Sequence, residues 1–179
     1  MRTSKEEWIE LLLNNKDEFL AKKAEEKDGL DLSETEFPAG CLCDIDLSDI
    51  DFSGANFTES SIVNVNFSNC DFTSADFSRC KIEECDFSNC ILNGTNFSYA
   101  SLNFCNFNEA DMAGCVLNEA ELTDSDFATS ENLSACRFDE GTIWPDTEKL
   151  PEDFDSTYNY DLSSLQDDEE SGSSGDFEY

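Results

Sequence analysis

The sequence predicts an all-β solenoid: a four-sided parallel β-helix of about six coils with an α-helical cap at its amino end. Three observations carry this. First, large apolar residues recur every five positions in one register from Leu32 to Phe127, through Phe37, Leu42, Leu47, Phe52 and Phe57 onward. After one extra residue they resume at Leu133, Phe138 and Ile143. A helix repeats every 3.6 residues and a strand every 2, so neither sustains a period of five. Second, a small residue stands two places before most of these centres (Ala55, Ser60, Cys70, Ala75, Cys80), with a polar residue, often Asp or Asn, between them. Third, centres twenty residues apart fall into columns of like type. Leu47, Phe67, Phe87, Phe107, Phe127 and Phe37, Phe57, Phe77, Phe97, Leu117, Phe138 are aromatic columns, whereas Leu42, Ile62, Ile82, Leu102, Leu122, Ile143 is aliphatic. A fourth column, Leu32, Phe52, Phe72, Leu92, Met112, Leu133, is mixed. Five residues then make one side of a square and twenty make one turn, stacked at the strand spacing of ~4.8 Å. Alternating large and small side chains fill a narrow interior, and the two aromatic columns face each other across it.

The elements follow in chain order. Residues 1–29 form the cap: Ser4 and Glu7 make a capping box, Trp8, Ile9, Leu11 and Leu12 supply an apolar face, and Asn14-Asn15 divides the segment into two short helices. The second helix carries Phe19, Leu20 and Ala24. A solenoid needs such a cover because open strand edges and an open core invite aggregation. Residues 30–143 are the coils. Residues 144–154 close the far end, with Trp144 plugging the core and Pro145 and Pro151 stopping further strand pairing. Residues 155–179 are acidic and rich in Ser and Gly, the composition of a disordered, solubilising tail.

The unit of small residue, Asp or Asn, then large residue, seen twice in CDFTSADF at 70–77, resembles the A(D/N)LXX repeat of the pentapeptide-repeat family over about two thirds of the chain. The resemblance implies a right-handed quadrilateral β-helix. It also implies a helical pair before the first coil and a closing segment like GTIWPDTEKLPEDF after the last. Some members of the family are DNA mimics that bind type II topoisomerases such as gyrase.

Charge narrows the function independently. The chain has 42 acidic residues, 10 basic ones and no histidine, for a net charge of −32. Direct binding to nucleic acid or an anionic membrane is excluded by like charge, and a protein partner with a basic surface is favoured. No run approaches the ~20 apolar residues of a membrane span, and MRTSKEEWIE lacks a signal peptide's apolar stretch, so the expected compartment is the cytoplasm. Phosphate-binding glycine loops, nucleophile elbows and metal-ligand spacings do not occur. The expectation is a protein that is not an enzyme, with no catalytic residues, no cofactor and no metal.

Of nine cysteines, seven (Cys70, Cys80, Cys85, Cys90, Cys105, Cys115, Cys136) occupy the small inward position, where a thiol acts as an apolar filler. Cys70 with Cys90, and Cys85 with Cys105, stack within reach of a disulfide, which a reducing cytosol disfavours. Cys41 and Cys43 flank Leu42 and form the accessible pair.

Residues 30–143 carry 22 acidic side chains against Arg79, Lys81 and Arg137. That is a net −19 over about 28 Å of stacked coils, close to the roughly 16–17 charges of duplex DNA over that length. One outer column reads Asp46, Asn66, Asp86, Asn106, Asp126, beside Asp49 and Glu109; the next reads Asp51, Asp71, Ile91, Asp111. Asp46, Asp49, Asp51, Asp71, Asp86, Glu109, Asp111 and Asp126 are therefore candidate partner-binding residues, with Arg79 and Lys81 toward the opposite side. The partner on this reading is gyrase, another topoisomerase or another DNA-binding protein. The competing reading is an interaction scaffold without DNA mimicry. Its anchors are Tyr99 and Phe104, which stand where neighbouring units have polar residues. Association between copies is left open by the sequence.

Overall fold

A computed structural model describes residues 3–26, 29–37 and 39–157; most of the predicted acidic tail lies outside the described residues. Helix α1 (Lys5–Asn14) begins with the expected capping box: Glu7 N–H donates to the Ser4 hydroxyl at 3.2 Å and Ser4 N–H to the Glu7 carboxylate at 3.0 Å. Asn15 ends α1 by donating to the Leu11 carbonyl, and its side chain accepts from Glu18 N–H to start α2 (Lys16–Lys23). The two asparagines break the helix because the second serves as cap on both sides. Trp8, Leu12 and Phe19 are buried in one continuous core with the coils, and the Trp8 and Phe19 rings meet edge to face at 5.5 Å.

Three lysines fasten this pair of helices to the first coil. Lys5 donates to the Ser33 carbonyl and pairs with Asp31, each at 2.7 Å. Lys16 donates to the Cys43 carbonyl, and Lys23 reaches the Asp46 carbonyl at 3.5 Å. The Lys5 ammonium, with help from Ser33, holds Asp31 down to about 2. A carboxyl depressed in this way stabilises the fold above its unfolded value of ~3.9 and loses that contribution as pH falls through about 2. The helical circular-dichroism signal is therefore expected to weaken between about pH 4 and about pH 2. Asp31→Asn should remove that transition, and a variant that retains it unchanged contradicts the assignment.

The coils pair in parallel, each residue with the one twenty positions on. Strands β2 (Cys41–Asp46), β4 (Ser61–Asn66), β5 (Lys81–Glu83) and β6 (Ser101–Asn103) form one side, stacking Leu42, Ile62, Ile82 and Leu102. Strand β1 (Leu30–Asp31) pairs with β3 (Ile50–Asp51), and this side continues as single bridges through Asp71, Ile91 and Asp111. The remaining sides stack Asn66, Asp86, Asn106, Asp126 and Asn56, Asp76, Asn96, Val116. Most corners are turns closed by a hydrogen bond such as Ala55 N–H to Phe52 carbonyl; at the corner after Leu102 the Cys105 N–H donates to the Ser125 hydroxyl instead. The third residue of the turn takes positive φ (Gly54 +66°, Asn69 +61°, Asn89 +57°), the conformation that Gly and Asn tolerate best.

Inside, the two aromatic columns are present as expected. Phe37, Phe57, Phe77 and Phe97 stack at 4.1, 4.6 and 5.2 Å between centroids. Phe67, Phe87, Phe107 and Phe127 stack at 5.2, 5.1 and 4.5 Å. The columns meet edge to face, as in Phe77 with Phe87 at 6.0 Å. The small inward position does more than fill space. Cys70, Cys80, Cys90 and Cys115 thiols donate to the carbonyls of Leu47, Phe57, Phe67 and Leu92 at 2.9–3.0 Å, and Thr95 and Ser125 hydroxyls do the same. A buried carbonyl gains a partner this way, which is why Cys, Ser and Thr share the position with Ala.

The last coil departs from the expected register. Asp111 pairs with Glu131, but Val116 pairs with Arg137 and Glu121 with Ile143, so the offset grows from side to side beyond the single extra residue expected. Ile143 is consequently not in the aliphatic core column: it points outward and is 55% exposed. The chain between Phe138 and Ile143 holds the cause, a turn in which Asp139 accepts from Gly141 N–H and from Glu119 N–H above it. Thr142 takes the small inward place, its hydroxyl on the Leu117 carbonyl at 2.9 Å. Trp144 then closes the core against Phe127, Phe138 and Phe154 at 6.5, 5.2 and 4.8 Å.

Candidate protein-interaction surface

The candidate carboxylates are fixed by the turns they sit in. Asp46, Asp51, Asp71, Asp86, Asp111 and Asp126 each accept, through Oδ1, the N–H of the residue two places on, at 2.8–3.2 Å. This is the Asx-turn. It explains why Asp or Asn precedes the centre residue, and the frequent Ser or Thr two places later was its signal in the sequence. Asparagine satisfies the same turn, and in one column it does a second job. Asn66 donates to Asp46 at 3.1 Å and Asn106 donates to Asp86 at 3.0 Å, so amides separate carboxylates that would otherwise repel at the ~4.8 Å spacing of adjacent strands. In the neighbouring column Asp51 pairs directly with Asp71 without an intervening amide.

Asp49 and Glu109 stand exposed on the corner between these columns, with φ of 57° and 60°. Asp49 accepts from Asn69 at 3.2 Å. Burial acts to raise Asp46, but hydrogen bonds from Ser48, the Lys23 charge and the Asn66 amide together hold it below the ordinary range. The Asn132 amide, at 2.7 Å, is the main cause of a lowered Asp111. Both therefore remain ionised at neutral pH.

The coil segments forming these two sides, 45–54, 65–74, 85–94, 105–114 and 125–135, contain no lysine or arginine. The other two sides are acidic as well (Glu36, Asp44, Glu59, Asp76, Glu83, Glu84), so negative charge wraps the whole coil. What sets them apart is Arg79 and Lys81 on and beside the diagonally opposite corner, where the Arg79 guanidinium lies 5.1 Å from the Tyr99 ring centre. Ile91, 43% exposed, interrupts the Asp51 column as its sequence position indicates.

Tyr99 and Phe104 are exposed, at 56% and 57%. Their positions carry a feature that the sequence reading missed: both are turn residues with positive φ, 61° and 56°. A bulky side chain is disfavoured there by roughly 1–2 kcal/mol. Phe104→Asn is therefore expected to stabilise the fold by about 1 kcal/mol, read as a rise in thermal midpoint. A lower midpoint would show that the ring contributes packing that outweighs the backbone strain.

Among the described residues no group of three or more Cys, Asp or Glu is placed to hold a metal ion. No described helix is long and apolar enough to cross a membrane. An open groove near the first coils is lined by Leu30, Asp31, Asp49, Ile50, Asp51 and Asp71.

Five-residue sides, twenty-residue turns and parallel i to i+20 pairing define a parallel β-solenoid repeat protein. The family model for pentapeptide repeats matches eight copies at residues 50–89 and 90–127, and the chain belongs to the pentapeptide-repeat family. A pentapeptide repeat protein, Rfr23, of the cyanobacterium Cyanothece 51142 is similar in structure, with a TM-score of 0.62 at 19% identity over 70% of this chain and 96% of that one. At that identity the likeness concerns the fold alone. QnrB1, a plasmid-mediated fluoroquinolone resistance protein, matches at 18% identity over 62% of this chain and 68% of its own, with a TM-score of only 0.34. A thylakoid-lumen pentapeptide repeat protein of Arabidopsis thaliana matches at 25% identity over 57% and 68% with a TM-score of 0.29. No curated protein sequence matches the chain.

Proposed function

We propose that this protein is a non-enzymatic interaction module of the cytoplasm. Its carboxylate-lined coil faces occupy the basic DNA groove of a topoisomerase or another DNA-binding protein. The observation that carries this is the pair of adjacent sides on which Asp46, Asp49, Asp51, Asp71, Asp86, Glu109, Asp111 and Asp126 stand without a lysine or arginine in the same coil segments. Most of these groups are already held by turn N–H donors, so little side-chain freedom is lost on binding. Their summed field steers a basic partner and rejects polyanions.

Neutralising the charge without disturbing the turn tests this, because asparagine makes the same Asx-turn. Wild type and the triple variant Asp46→Asn, Asp86→Asn, Asp126→Asn would be immobilised, exposed to a source-cell lysate and washed in steps of rising salt. A DNA-handling protein held by wild type, released at moderate salt and lost by the folded triple variant supports the reading. A partner that ignores both salt and the triple variant sinks it.

The second reading uses the aromatic corners. Tyr99 and Phe104 are kept at strained positions where Gly, Asn and charged residues serve elsewhere, and strain held at an exposed site points to a use for the side chain. On this reading Tyr99→Ala or Phe104→Ala abolishes capture, and salt matters little.

A further inference from the structure

Cys41 and Cys43 stand apart from the seven inward cysteines. They flank the inward Leu42 on β2, so strand alternation puts both on the outer face. Cys41 is exposed, Cys43 is half-buried, and both are free thiols. Their Cα atoms are about 6.6 Å apart at ~3.3 Å rise per residue. Directly over this pair lies α2, whose Lys16 ammonium is 3.5 Å from Cys43 Sγ while donating to the carbonyl of the same residue.

The geometry suits a bridging ion better than a disulfide. A separation of about 6.6 Å is at the upper limit of what an S–S bond spans, and shortening it would pull β2 from its pairing with Ser61 and Val63. Two metal–sulfur bonds of ~2.3 Å each bridge sulfurs about 4.6 Å apart without moving the strand. Two thiols with no third ligand do not make a tetrahedral zinc site, but soft thiolates on their own favour Cu(I). One monovalent cation and two thiols give a dithiolate complex of charge −1 and release two protons; the Lys16 ammonium stands ready to offset that charge. The chain's net charge of −32 concentrates cations around it.

We propose that Cys41 and Cys43 form a surface dithiolate site for one soft monovalent metal ion of the Cu(I) class, with Lys16 as its counter-charge. Binding there adds a charge attraction to the contact that Lys16 of the helical cap already makes with the first coil.

The test is an anaerobic titration of the reduced full chain with Cu(I), using bicinchoninate as the competing chelator. One equivalent is expected to leave the chelator, and two thiols are expected to become unreactive toward a disulfide reagent. Cys41→Ser and Cys43→Ser should each abolish capture. Cys80→Ser, which alters an inward position that serine also occupies at Ser60, should retain it. Lys16→Met should weaken capture by roughly 10–100-fold, the usual effect of losing an outer-shell partner, and Lys16→Arg should restore most of it. The proposal is overturned if wild type leaves all Cu(I) with the chelator, or if the folded Cys41→Ser, Cys43→Ser double variant captures as wild type does.

Discussion

Replacing Phe87 with alanine is expected to destabilise the protein by about 3–5 kcal/mol, the largest loss of any single substitution considered. Phe87 is fully buried at the midpoint of its column. Its ring stacks on Phe67 and Phe107 and meets Phe72, Phe77 and Phe97 at 5.8–6.2 Å. Truncation removes five ring contacts at once. It also leaves a cavity that the coils cannot close, because the Phe67, Phe72, Phe77, Phe97 and Phe107 N–H groups each donate to a carbonyl of the next coil. Against a typical total stability of about 5–15 kcal/mol, denaturant unfolding should show a clear loss. Phe138→Ala, at the half-buried end of the opposite column, should cost less. Equal losses at the two sites would contradict a core whose stability is centred on the facing ladders.

Deleting residues 1–26 is expected to make the chain self-associate. The deletion removes Trp8, Leu12 and Phe19, which share one core with Leu32, Phe37, Leu42 and Leu47. It also removes the lysines that occupy first-coil carbonyls near Ser33, Cys43 and Asp46. The first coil would then present an apolar end and unpaired backbone, the condition that favours edge-to-edge association. Light scattering or sedimentation would show it. A deleted chain that stays monomeric with undiminished stability would mean that the helices do not act as the cover.

The period of five made the coil legible because a large apolar residue stands at one position in five without interruption from Leu32 to Phe127, and register alone then places Asp46 beside Asp51 and opposite Arg79. The last coil was not legible. Ile143 and Trp144 are both apolar, and a slip of one residue exchanges the inward and outward faces. Only the pairing of Glu121 with Ile143 shows which one enters the core. The register places the candidate carboxylates on two adjacent sides, but the local reason for an acidic residue there is not legible from it. Asp46, Asp86 and Asp126 complete turns that asparagine completes equally well, so an acidic residue there reports a structural need before it reports a partner. The strain at Tyr99 and Phe104 was invisible for a related reason, because left-handed φ at each corner follows from the turn geometry and not from residue type.

The measurement that bears most directly on the acidic-surface account is the salt dependence of partner binding by wild type and by the Asp46→Asn, Asp86→Asn, Asp126→Asn variant. With the captured partner purified, the logarithm of affinity would be plotted against the logarithm of salt concentration. The account predicts a steep negative slope for wild type, a shallower slope and weaker binding for the variant, and competition by duplex DNA for the same partner. Equal slopes for the two proteins, with DNA unable to compete, would contradict it.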